Sequence, residues 1–155
     1  MKRLLFILIP ALLLCFCGKD NSVQLVSFTD SGCSNAVMSP DTRGGDALPS
    51  RLTLKYSQEG LVITRTNAIM NCSIRLSGIG CEATLEGNVV HLNVYAKGDK
   101  LRCTCPVDTM SSTVAGLRTG TDYVLDYSCD GAYSPISFYY EEGMMMVVDL
   151  SLYEP

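Results

Sequence analysis

Arg51-Leu52-Thr53-Leu54-Lys55-Tyr56-Ser57-Gln58-Glu59-Gly60-Leu61-Val62-Ile63-Thr64 is the stretch on which the fold class turns. Leu52, Leu54 and Tyr56 alternate with Arg51, Thr53 and Lys55. Successive side chains of a strand point to opposite faces, so this segment reads as a strand with one buried and one wet side. Glu59-Gly60 interrupts the alternation and a β-branched run follows, which predicts a hairpin. The same pattern continues outward. In Cys81–Glu86, Ala83 and Leu85 oppose Glu82, Thr84 and Glu86. Gly87-Asn88 turns the chain into Val89–Tyr95, where Val90, Leu92 and Val94 oppose His91, Asn93 and Tyr95, and Gly98-Asp99-Lys100 ends that strand. Further strands are expected over Val23–Phe28, Thr113–Leu117, Thr121–Ser128, Pro135–Tyr140 and Met144–Leu152. The last carries Met146, Val148, Leu150 and Leu152 on one side. Ser39–Gly45 reads as a loop, and no segment has a capped helical stripe. Short strands at this spacing predict an all-β sandwich or barrel.

Gly116-Leu117-Arg118-Thr119-Gly120-Thr121-Asp122-Tyr123-Val124-Leu125 separates the two. Leu117, Gly120, Thr121 and Tyr123 resemble the tyrosine corner of fibronectin type III domains, with Thr119 in place of the usual Pro. In that corner the ring packs inward and the hydroxyl bonds back to the chain a few residues upstream. The resemblance implies an antiparallel β-sandwich, immunoglobulin-like or fibronectin type III-like, with Greek-key connections. It implies architecture and no function.

The chain has 155 residues, suited to one domain with a small appendage. Its net charge of -4 gives no basic footprint for nucleic acid. Met1-Lys2-Arg3 followed by the apolar run Leu4–Phe16 has the form of a signal peptide, too short to span a membrane as a helix. Cys17, followed by the polar Gly18-Lys19-Asp20-Asn21, resembles the lipidated cysteine of bacterial lipoproteins and is favoured over Cys15. Phe16 stands where that motif has a small residue, and an ordinary secreted chain cut near Cys17 is the alternative. Loss of residues 1–16 removes Lys2 and Arg3 and no acid, moving the charge from -4 to -6, so attachment to an anionic membrane falls to lipid. The expected organisation is a signal peptide over 1–16, then a lipidated N-terminus, tether and candidate first strand over 17–50. The sandwich follows over 51–155. Leu61–Ala68, Asn71-Cys72, Cys103-Thr104-Cys105 and the Gly116–Tyr123 corner are together similar to a group of small Bacteroidetes secreted lipoproteins. This resemblance implies an outer-membrane lipoprotein facing the periplasm or the cell surface.

Of the eight cysteines, Cys15 and Cys17 belong to the leader. Cys33, Cys72, Cys81, Cys103, Cys105 and Cys129 remain, an even set that reads as three disulfides in an exported chain. Cys103 and Cys105 share a strand face, so they are expected to take different partners, with Cys72 the first choice for one of them. One Cys-x-Cys and a single His make a poor zinc set, and no Cys-x-x-Cys on a βαβ unit is present for redox chemistry. His91 is expected outward, and no motif supplies a nucleophile, a phosphate loop or a calcium loop. No catalytic residue, cofactor or metal is assigned. Tyr95, Tyr139 and Met145 form a candidate exposed binding patch. Asp108-Thr109-Met110 resembles the Bacteroidetes O-glycosylation tripeptide, making Thr109 a candidate site in what reads as a loop.

Three functions are weighed. The first is a non-catalytic envelope module that binds protein or glycan, or serves structurally, while anchored to the membrane by lipid. The second is a disulfide-braced inhibitor or immunity-type protein, which requires residues 97–112 to protrude. The third is a hydrolase, which requires Asp, Glu or His91 to converge in a concave pocket.

Overall fold

The computed structural model describes residues 22–34 and 49–150, with the backbone alone for 132–134, and resolves the alternation into two packed sheets. β1 (Gln24–Asp30), β2 (Arg51–Ser57), β3 (Gly60–Asn71), β6 (Thr104–Ala115) and β9 (Met145–Asp149) make the first. Its order is β1-β6-β3-β2-β9 and all neighbours are antiparallel. β4 (Ile79–Glu86), β5 (Val89–Ala96), β7 (Thr121–Cys129) and β8 (Ala132–Tyr140) make the second, in the order β4-β5-β7-β8. One helical turn, α1 (Ile74–Ser77), links β3 to β4. The expected all-β sandwich is the fold observed.

The inward residues are those the alternation selects. Leu52, Leu54, Leu61, Ile63, Val107 and Val114 of the first sheet meet Val90, Leu92, Val94, Leu125, Ile136 and Phe138 of the second. Each such buried side chain contributes about 1.5–3 kcal/mol relative to leaving it in water. The expected corner forms: the Arg118 N–H donates to the Tyr123 hydroxyl at 3.0 Å, and the Tyr123 ring stacks on Phe138. Gly120 takes φ 74°, a left-handed conformation that favours glycine, and its N–H donates to the Tyr140 carbonyl.

Three features depart from the expectation. β5 and β7 run parallel, Val89 facing Val124 and Val94 facing Cys129. Between them the chain crosses to the first sheet as β6 and returns, the long crossover that a parallel pair requires. Immunoglobulin and fibronectin sandwiches are built of antiparallel sheets, so this pair separates the chain from the topology its corner resembles. Residues 97–103 lie outside any strand, but residues 104–112 are not a protruding loop, because Cys105, Val107, Met110 and Ser112 bury inward and make this stretch part of the 12-residue strand β6. That strand begins well before the expected Thr113. Finally, the candidate first strand forms as β1 and joins the first sheet, so the sandwich begins before residue 51. The Ser39–Gly45 loop, Leu152, Cys15, Cys17 and the rest of the leader lie outside the described residues.

Two disulfides are present among the described residues, Cys33–Cys105 and Cys72–Cys103, with Cα separations of 5.7 and 5.5 Å. Cys103 and Cys105 take different partners, one of them Cys72, as the spacing predicts. The third bridge does not form, and Cys81 and Cys129 are thiols. Sheet register explains this. Cys81 faces Val94, and Val94 faces Cys129, so the two thiols lie two ladder steps apart with Val94 between them. That places their Cα atoms roughly 10 Å apart, beyond the reach of a disulfide.

Candidate functional site on the outer face of the second sheet

The second sheet turns one face to the core and the other outward. β4 sends out Glu82, Thr84 and Glu86, and β5 sends out Val89, His91, Asn93 and Tyr95. β7 adds Asp122, Val124, Asp126 and Ser128, and β8 adds Pro135, Ser137 and Tyr139. Four of these strand positions are carboxylates, and none of the described ones is Lys or Arg.

At its centre the register brings His91 of β5 between Thr84 of β4 and Asp126 of β7. His91 Nδ1 lies 2.7 Å from Asp126 Oδ2, a short charge-assisted hydrogen bond. Asp126 Oδ1 is buried without a hydrogen-bond partner, so the carboxylate is directed at the imidazole alone. His91 Nε2 lies 3.8 Å from Glu86 Oε2. The imidazole is 38% exposed, Asp126 17% and Glu86 90%. Hydrogen bonding to Asp126 fixes the ring orientation, as in the base-and-orienter half of a catalytic triad. The place such a triad gives to a nucleophile is occupied here by Glu86.

Toward one end, Tyr95 faces Gly80, and its ring lies against the glycine backbone where a β-carbon would collide. Its hydroxyl donates to Glu82 at 2.8 Å, and this bond holds the phenol above its ordinary pKa. Tyr139 is 46% exposed but sits across Asp122, at the other end of the sheet. Tyr95 and Tyr139 are about 25 Å apart along the strand direction at the usual rise per residue. Met145, 67% exposed, faces Lys55 on the first sheet. The expected patch of Tyr95, Tyr139 and Met145 is therefore three separate exposures: alternation shows which side is outward, and only strand order shows which residues share it. Thr109 also changes setting. It lies in β6 opposite Thr66, on an exposed face, and not in a loop.

The interior holds a group that the sequence reading passed over. Arg65 is 4% exposed, its Nε donates to Ser50 Oγ at 3.2 Å, and its guanidinium lies 5.7 Å from the Tyr127 ring centre. Near it, Cys81 Sγ meets Ser112 Oγ at 3.5 Å. Burial pushes the Cys81 thiol and the Tyr127 phenol above their ordinary pKa values, and the neighbouring Cys129 adds to both shifts. The signal was available, since Leu61, Ile63 and Arg65 share one parity in β3. No family model, curated protein or solved structure matches this chain.

Proposed function

We propose that the chain is an exported, lipid-anchored envelope protein whose sandwich acts as a non-catalytic binding module, using the outer face of the second sheet to hold a hydroxyl-rich ligand such as a glycan. The observation that carries the reading is the makeup of that face. Glu82, Glu86 and Asp122 stand on strands with Asn93, Tyr95 and Tyr139, and among the described residues no outward strand position of this face is Lys or Arg. Carboxylates and amides accept hydrogen bonds from sugar hydroxyls, and tyrosine rings offer apolar surface with a polar edge. Two disulfides support export, because such bonds persist in oxidising compartments. The inhibitor reading loses its braced loop, since residues 104–112 lie within β6.

The test combines anchor and ligand. Metabolic labelling with a fatty-acid probe should mark the wild type and Cys15→Ala but not Cys17→Ala; an unlabelled wild type removes the anchor. On a polysaccharide panel, the double variant Glu82→Gln/Asp122→Asn should weaken retention at least about tenfold, the loss of one or two charge-assisted hydrogen bonds. Equal retention of wild type and variant overturns the use of this face.

A further inference from the structure

We propose that β9 is a docking edge for a second copy of this chain, the two copies pairing their β9 strands antiparallel about Val147 so that their first sheets join into one. The proposal stands apart from the glycan reading, which uses the other sheet. Backbone direction leads to it. The Tyr56 N–H donates to the Met144 carbonyl, and the Leu150 N–H donates to the Ser50 carbonyl. In an antiparallel ladder, residues that bond to the neighbouring strand alternate with residues that turn away from it. Met144, Met146, Val148 and Leu150 therefore give their backbone groups to β2. Met145, Val147 and Asp149 turn theirs to the opposite edge, where no described strand pairs with β9. The same three side chains stand on the outer face. Met145 is 67% exposed, Val147 is 54% exposed, and Asp149 is exposed too.

The other three sheet edges carry devices that discourage pairing. β1 is broken by a register shift between Leu25 and Ser27. β8 contains Pro135, which has no N–H to give. β4 carries Glu82 and Glu86 along its edge, and these repel a second β4. Bulges, prolines and charges are the usual protections of an unpaired edge. β9 has no proline and no register shift, and it adds two exposed apolar side chains. Its one charge, Asp149, has a use in the pairing.

A two-fold axis at Val147 sets this residue against its own copy and Met145 against Asp149 of the second copy, each pair exchanging both backbone bonds. Each Met145 then lies diagonal to Val147 of the other copy, within reach of a long side chain. Within one copy Lys55 faces Met145 and Arg51 faces Asp149. The joined row reads Lys55, Met145, then Asp149 and Arg51 of the second copy, which sets a carboxylate between cations and makes the edge complementary to itself. A free extended peptide fits less well. An edge of five residues offers few bonds, and a peptide would lose their gain to the entropy of its own ordering. The β9 strand of another copy is already ordered.

The experiment is sedimentation equilibrium of the full chain in non-ionic detergent over a concentration series. Monomers should pass to dimers and stop there, since a two-fold contact closes. Val147→Pro removes an N–H that β2 does not use, so it should keep the wild-type melting profile while weakening the dimer at least about tenfold. Cross-linking reads the register and decides the matter if that variant fails to fold. Val147→Cys should oxidise to a covalent dimer, because its two Cα atoms lie about 5.5 Å apart across the axis. Met145→Cys should not, because its copies lie roughly 14 Å apart. Cys81 and Cys129 are the same in both variants, so the comparison cancels them. Wild type that stays monomeric at millimolar concentration overturns the proposal, as does assembly that continues beyond the dimer. So does a dimer that a folded Val147→Pro leaves intact, or Met145→Cys cross-linking as readily as Val147→Cys.

Discussion

The two ends of the sandwich are closed by different chemistry. At one end β3 finishes, β6 begins and the β7–β8 hairpin turns. Here both disulfides gather, Cys72–Cys103 across the ends of β3 and β6 and Cys33–Cys105 from the chain after β1. Asn71 reinforces them: its side chain exchanges hydrogen bonds with the Leu101 backbone, and its own N–H donates to Asp130 on the opposite sheet. At the other end no disulfide occurs among the described residues. That end is held by the Tyr123–Arg118 hydrogen bond, the Gly120–Tyr140 contact and the packing of Tyr123 on Phe138. The connections explain the difference. The bridged end carries the segments 72–78 and 97–103, which lie outside the sheet ladders, whereas the corner end includes the tight turns at 58–59 and 87–88 between paired strands. Covalent closure stands where the chain leaves the sheet ladders.

The largest effect should come from opening the bridged end. Cys72→Ser/Cys103→Ser releases a closure of sequence separation 31. Loop-closure entropy puts the loss near about 3–4 kcal/mol. Denaturant unfolding of the oxidised variant against the oxidised wild type measures it, and coincident midpoints would show that the bridge does not brace this end. The corner end should be gentler. Tyr123→Phe keeps the ring on Phe138 and removes only the acceptor of the Arg118 N–H, a loss of about 1–1.5 kcal/mol. A loss as large as that of the double cysteine variant would erase the distinction between the two ends.

The corner was legible because its signal is local: Gly120 and Tyr123 stand three residues apart, and the bond closes over five. The split partners of Cys103 and Cys105 were legible for the same reason, from parity on one strand. What stayed hidden depends on strand order, which no local pattern encodes. The parallel β5–β7 pair sets His91 beside Asp126, 35 residues away in sequence. It also sets Val94 between Cys81 and Cys129, which removes the third bridge. Arg65 was hidden differently, since its parity points inward while its charge argues outward. Tyr127 and Ser50 give its guanidinium a ring and a hydroxyl that make burial tolerable.

The smallest effect concerns the interior near the bridged end, where Cys129 directly precedes the β7–β8 turn and the Cys81 and Tyr127 side chains are held protonated by burial. In the unfolded chain they ionise around their ordinary values of 9.0 and 10.0. Above those values the unfolded state has shed protons that the folded state still binds, so stability is complete below pH 9 and falls as pH rises. Each fully shielded group costs up to about 1.4 kcal/mol per pH unit. Cys81, only partly buried and bonded to Ser112, should contribute well below that ceiling. Urea unfolding from pH 8 to 11 reads the slope. Cys81→Ala should flatten the first part of the decline, and Tyr127→Phe the part above pH 10. A Tyr127→Phe variant whose decline above pH 10 matches that of the wild type would show that the alkaline weakness does not come from this interior.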